Sequence, residues 1–116
     1  MRMWMLTPDI LCRQHLLGEH NELHMLAGCI RLNKSLKGYI EKGHIAVHLA
    51  RIRHEQLVQE FERRGYNHKS PFPDIELWEE GEIDFERNIR DLCDRCPECA
   101  ARYHRYKENQ NVWLAA

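Results

Sequence analysis

No stretch of this chain stays apolar for the roughly 18–20 residues that a membrane-spanning helix needs. The apolar residues at the N-terminus are interrupted at Arg2 and end at Thr7-Pro8, too short a run for the core of a secretion signal. There is no internal repeat, no low-complexity tract and no segment with the alternation of a strand. An excess of charge of one sign is also missing. Over 116 residues, 17 Lys+Arg stand against 18 Asp+Glu, a formal net charge of -1. Taken whole, that balance argues against a nucleic-acid binder, which is typically basic, and excludes a simple polybasic membrane anchor. The cysteines are odd in number: Cys12, Cys29, Cys93, Cys96 and Cys99. Without a secretion signal they read as reduced thiols of a cytoplasmic protein.

What is present is ordinary globular composition, 43% hydrophobic and 30% charged, at a length suited to one domain. Residues 1–6 read as extended and half-buried. Thr7-Pro8-Asp9 carries a helix start, with an N-cap, a proline at the first position and an acid in the first turn. The spacing of Cys12, Leu16, Leu23, Ala27 and Ile30 predicts a helix from there to about Asn33. Lys34 to Gly43 reads as a basic connection. A second helix is expected over 43–64, with Val47, Ala50, His54, Leu57, Val58 and Phe61 on one face and Gly65 beyond its end. After a proline-broken loop and an acidic connection, a third helix is expected from near Asp84. Pro97 ends it, and a last turn or helix restarts there and runs to about Lys107. The fold class is therefore all-α: a small single-domain bundle of about three main helices with an extended N-terminal segment.

On the first helix His15, Glu19 and Glu22 fall within about 60° of one another beside the apolar stripe. Two carboxylates and an imidazole at the edge of a buried surface perturb one another's ionisation. Such a group serves acid/base chemistry or binds a metal. The same spacing also describes a solvated helix edge with a His–Glu contact.

The run from Leu11 through His15, Glu19 and Glu22 to Leu23, the start Met1-Arg2-Met3-Trp4, and the stretch Arg53-His54-Glu55 through Arg63-Arg64-Gly65-Tyr66-Asn67-His68-Lys69-Ser70-Pro71 resemble the pyrimidine-dimer DNA glycosylase family of the endonuclease V type. The resemblance fades after Pro73, dividing the chain into family-like helices over 1–73 and an acidic connection plus C-terminal helix over 74–116. It implies a small helical enzyme whose N-terminal α-amine attacks C1′ of the damaged nucleotide. Base loss then leaves a Schiff base, and β-elimination cuts the strand. The essential glutamate of that family falls on Glu22 and the nucleophile on Met1, and Met1, Glu22 and His15 are the expected catalytic residues. Initiator Met is trimmed before small residues, so Met1 is expected to be retained ahead of Arg2. A free α-amine titrates at roughly 7.7–8.0, which leaves a useful neutral fraction near pH 7. The resemblance implies lesion-containing double-stranded DNA as partner, with no cofactor, no membrane and no obligate protein partner. It also implies a cytoplasmic, nucleoid-associated location. Arg2, Gln14, Asn21, Lys37, Tyr39, Arg64, Tyr66, His68 and Lys69 are the expected DNA contacts. Asn21 and Met25 stand where the family's first helix carries arginines, which bears on substrate choice.

Two other readings compete. A metal-binding helical bundle would rest on the pairs His20-x3-His24 and His44-x3-His48, with Glu19, Glu22 and the cysteines. A non-catalytic DNA-binding module would keep the helix without the chemistry. No metal site is expected. Cys93, Cys96 and Cys99 with His104 are weak candidate ligands, too compactly spaced for a zinc ribbon. The C-terminal segment Arg102-Tyr103-His104-Arg105-Tyr106-Lys107 interleaves cations with aromatics, as backbone tracking with stacking requires. The overall near-neutrality hides a division. Residues 1–69 carry 11 Lys+Arg against 7 Asp+Glu, and residues 70–116 carry 6 against 11. The acidic run from Asp74 to Glu86 is expected to lie away from DNA or to modulate affinity by repulsion.

Overall fold

Three places in the chain bury several consecutive residues, and these decide where helices are interrupted. Arg2, Met3 and Trp4 are buried, as are Ile10, Leu11 and Cys12, and again Ile45, Ala46 and Val47. A helix places neighbours 100° apart and cannot turn three in a row inward, so the backbone leaves the helical period at each place. The computed structural model describes the backbone of residues 1–68 and 70–115, with side chains to residue 110 except Lys69.

The described residues are all helical in their regular structure, with no strand. The N-terminal segment is extended. Thr7-Pro8-Asp9 opens only a single 3-10 turn, Pro8–Ile10, and the Thr7 side chain makes no cap bond. The expected long first helix thus begins later, as α1, Arg13–Arg31, with Cys12 as N-cap accepting from the His15 amide. The expected basic connection contains a short α2, Lys37–Glu41. The second long helix, α3, spans Ala50–Arg63 rather than starting at Gly43, after a 3-10 turn at Val47–Leu49. It ends before Gly65, whose φ of +79° is the left-handed conformation expected there. α4, Phe85–Arg95, is capped by the Asp84 carboxylate accepting from the Arg87 amide. α5, Pro97–Ala115, starts on Pro97 and outruns the expected end at Lys107. No helix among the described residues is long and apolar enough to cross a membrane.

One core joins both halves of the chain. Leu16, Leu23 and Leu26 of α1 and Leu57 and Phe61 of α3 pack with Met3, Trp4 and Leu11, and with Leu92 and Cys99 from α4 and α5. Each fully buried leucine contributes about 1.5–3 kcal/mol. The N-terminal segment is clamped by polar contacts as well. The Met3 amide donates to His44 O at 2.7 Å, and Asn88 Nδ2 donates to Trp4 O at 2.9 Å. Asn88 is itself fully buried, so α4 holds the first residues against α1. The acidic connection runs without regular structure, held by Arg51 donating to Ile75 O at 2.6 Å and by the Val47 amide donating to Glu80 O at 2.8 Å.

Candidate active site

The first residues of the chain meet the middle of α1. The α-amino nitrogen of Met1 lies 3.9 Å from Glu22 Oε1. Alongside is a small pocket of about 180 Å³ lined by Arg2, Trp4, Gln14, His15, Gly18, Glu19, Glu22 and Arg95. Glu22 faces it because α1 presents residues 15, 18, 19 and 22 on one arc, as helical spacing requires. Burial pushes the Glu22 carboxyl up from its ordinary value, against the opposing pull of the Met1 ammonium and the Arg2 backbone amide. His15 is pushed down by burial and by the positive charge of Arg95.

The three residues of the sequence cluster separate in role. Glu19 is buried and paired with Arg53, whose Nε donates to Oε2 at 2.6 Å and whose Nη2 donates to Oε1 at 2.9 Å. Arg53 also donates to Leu6 O at 2.7 Å. Glu19 therefore ties α1 to α3 and to the N-terminal segment, while Glu22 keeps its carboxylate at the pocket. His15 turns Nδ1 towards sulfur, 3.2 Å from Cys12 Sγ.

The expected DNA contacts divide likewise. Arg2 is buried, its Nη2 donating to Asn88 at 2.6 Å and Asp91 at 2.7 Å, and its guanidinium stacks 4.2 Å from the Trp4 ring centre. The Asp91 carboxyl is held low by that hydrogen bond. Arg64 donates to Glu60 at 2.6 Å and to Leu11 O at 2.8 Å, closing the 3-10 turn against α3. Both arginines are thus tied into internal contacts. Gln14 and Asn21 are exposed on α1, and Gln14 reaches the pocket. Lys37 pairs with Glu41 on the exposed face of α2, which also carries Tyr39. Tyr66 is half-buried under the Arg13 guanidinium. Lys69 lies outside the described residues. Tyr103 and Tyr106 pack towards the core from α5, so the aromatic side of that segment faces inward. The acidic run contributes no residue to the pocket.

His68 joins a cluster with His20, His24 and His54. Its Nε2 is 3.1 Å from His20 Nε2. Burial and the neighbouring imidazoles push His20 down to about 4. His20, His54 and His68 bring one nitrogen each within 4.8 Å, the spacing of metal ligands. Both nitrogens of His54 already face oxygens, however: Ser70 O at 3.1 Å and Glu55 Oε1 at 3.0 Å. Of the expected His20–His24 pair only His20 belongs to that ligand-spaced group, with the His24 ring packed 4.7 Å from it, and His44 and His48 are in neither ligand-spaced cluster of the described residues. The other cluster is Cys12, His15, Cys96 and Cys99. It takes two of the weak candidate ligands and leaves out Cys93 and His104.

The family model described as pyrimidine dimer DNA glycosylase matches residues 1–74. The chain belongs to that family. The match covers Met1, His15 and Glu22, α1, α2 and α3, and stops short of α4 and α5. No curated protein and no solved structure matches the chain. The family's members are DNA glycosylases, so the chain is grouped with enzymes of DNA repair that act on pyrimidine dimers. Sequence reasoning missed Trp4, Gly18 and Arg95 as parts of the pocket wall. Gly18 was within reach, since it lies on the arc between His15 and Glu22. Arg95 was not, because it enters from α4, outside the matched region.

Proposed function

We propose that the protein is a DNA glycosylase with AP-lyase activity, acting at pyrimidine dimers or abasic sites through a Schiff base on the Met1 amine. The observation that carries this reading is the 3.9 Å approach of that amine to Glu22 beside a pocket. In the neutral form the amine attacks C1′, the C1′–N bond breaks, and the base leaves with the bonding electrons and takes up a proton. The nitrogen loses a proton, and C1′–O4′ cleavage with protonation of O4′ opens the sugar to the imine. Loss of a C2′ proton then expels the 3′ phosphate. Glu22 is the group beside the nitrogen for these transfers, and its raised carboxyl suits a residue that both accepts and returns protons. His15 lines the same pocket and is the second proposed proton-transfer group.

The pocket is below the roughly 300–1,000 Å³ of common ligand sites. It suits one sugar with its C1′, reached by extruding a nucleotide from the duplex. Gln14 and Asn21, exposed on α1, are the proposed contacts flanking it, and Lys37, Tyr39, Tyr66, His68 and Lys69 are the other proposed DNA contacts. Arg2 and Arg64 act as positioning residues. Borohydride trapping on abasic and cyclobutane-dimer duplexes, compared side by side with peptide mapping of the adduct, tests the proposal. The expected adduct is on the N-terminal peptide. An adduct on an internal lysine, or none on either duplex, overturns it.

A further inference from the structure

The second ligand-spaced cluster lies behind His15, at the junction of α1 and α5. Cys12 is the N-cap of α1 and His15 its third residue. Cys96 immediately precedes α5, whose first residue is Pro97, and Cys99 is the third residue of that helix. Two Cys-x2-Cys or Cys-x2-His pairs are thus built on two helix starts in the same way, 84 residues apart in the chain. We propose that Cys12, His15, Cys96 and Cys99 form a four-ligand structural zinc site that fastens α5 to α1.

The argument is geometric. With about 2.3 Å bonds to sulfur and about 2.0–2.1 Å to nitrogen, a tetrahedral zinc has sulfur–sulfur edges of about 3.8 Å and sulfur–nitrogen edges of about 3.6 Å. Cys96 Sγ is 3.9 Å from Cys12 Sγ. His15 Nδ1 is 3.2 Å from Cys12 Sγ and 3.6 Å from Cys99 Sγ. All four ligand atoms lie within 4.8 Å of one another. The sulfur–sulfur distance is nearly twice the roughly 2.05 Å of a disulfide, and all five cysteines are free. Three thiolates and an imidazole are the donor set of structural zinc, with no position left for water.

Each sulfur also has a backbone donor. The Cys12 amide donates to Cys99 Sγ at 3.2 Å, the His15 amide to Cys12 Sγ at 3.4 Å, and the Cys99 amide to Cys96 Sγ at 3.4 Å. Such donors stabilise the negative sulfur and fix its direction. Binding releases one proton from each thiol and leaves the site with a charge of -1. The positive ends of α1 and α5 oppose that charge. The ion would also fix the His15 ring through Nδ1, leaving only Nε2 for the pocket that His15 lines. In this way α5, which lies beyond the family match, would brace the wall of the candidate active site.

Zinc content of the untagged protein, isolated without chelators, tests this. About one zinc per chain is expected. Cys99→Ser and Cys96→Ser should lose it, while Cys93→Ser and Cys29→Ser should keep it. Because a lost metal can unfold a variant, wild-type protein stripped and reloaded with Co(II) supplies a second reading. The expected spectrum combines tetrahedral Co(II) bands in the visible with thiolate charge transfer in the near ultraviolet. Stripping should lower Tm by roughly 10 °C or more, since metal binding is folding energy in such sites. Failure to take up Zn(II) or Co(II), or a Co(II) spectrum without thiolate charge transfer, overturns the proposal; the latter would place the ion among the histidines.

Discussion

Arg53 grips Glu19 through two hydrogen bonds at 2.6 and 2.9 Å, and both side chains are shut off from solvent. Three residues along the same helix, Glu22 faces the Met1 amine instead. The two glutamates predict opposite phenotypes. Glu19→Ala leaves the Arg53 charge buried and unpaired and should cost about 3–5 kcal/mol of stability. Glu22→Gln relieves a carboxyl that burial already disfavours, so its folded state should be as stable as wild type or slightly more so. Strand cleavage should fall by about 10²–10⁴-fold, the usual contribution of a positioned proton-transfer group. Denaturant melts and single-turnover cleavage on abasic DNA check both. A Glu22→Gln protein that cuts at the wild-type rate removes Glu22 from the mechanism.

The N-terminal nitrogen has a separate test. Acetylation of Met1 removes the nucleophile and the charge facing Glu22 while adding only three heavy atoms. The helical circular dichroism should be unchanged and borohydride trapping should vanish. Retained trapping on acetylated protein would move the nucleophile elsewhere.

Gly18 sits in the middle of α1 on the pocket wall, and a Cβ built there meets nothing within 4 Å. Glycine in a helix interior costs about 1 kcal/mol against alanine. Gly18→Ala should therefore stabilise the protein by about that amount. Gly18→Leu should keep the fold and fill the pocket, lowering cleavage without lowering Tm. A fully active Gly18→Leu protein would show that the reacting sugar does not enter there.

How much of this could be read from the chain follows from what is local. The Asp84 cap, the Gly65 turn, Pro97 at a helix start and the shared arc of His15, Glu19 and Glu22 obey rules spanning a few residues, and each was visible in the sequence. The starts of α1 and α3 were not. Thr7-Pro8-Asp9 satisfies every local preference for a long helix, yet burial of Ile10, Leu11 and Cys12 together overrides it. Cations were visible without their partners. Arg2 reads as a DNA contact until Asn88 and Asp91, more than 80 residues away, take its guanidinium. The same distance hid the meeting of Cys12 with Cys96 and Cys99, because only the packing of α5 on α1 brings two short motifs into one cluster.

Gly81 has a φ of +99°, and a Cβ there would lie 2.1 Å from Ile45 O and 3.0 Å from the Ala46 Cα. Both obstacles are backbone, and both belong to the extended stretch that leads into α3. Gly81→Ala should push the acidic connection off Val47 and break the hydrogen bond that the Val47 amide donates to Glu80 O. A loss of several kcal/mol is expected from the combined strain and lost contact, read as a lower urea midpoint. A neutral Gly81→Ala would show that the connection is not packed against residues 45–47 in solution.

The histidine cluster gives stability a defined pH dependence. Burial and the charges of His24, His54 and His68 push His20 from 6.5 to about 4 in the folded protein. Between those values the unfolded chain binds more protons than the folded one, so stability rises with pH across the window. The contribution is complete above about pH 6.5, fades as the pH falls and levels off below about pH 4. A depression of that size corresponds to about 3 kcal/mol across the window, and the lowered His24 acts in the same direction. His20→Phe, which sets an aromatic ring beside Phe61, whose ring centre is 5.0 Å from that of His20, removes the main titrating group. Its urea midpoint should change much less between pH 7 and pH 5 than the wild-type midpoint does. Equal pH slopes for the two proteins would assign acid sensitivity to other groups and leave the cluster as packing alone.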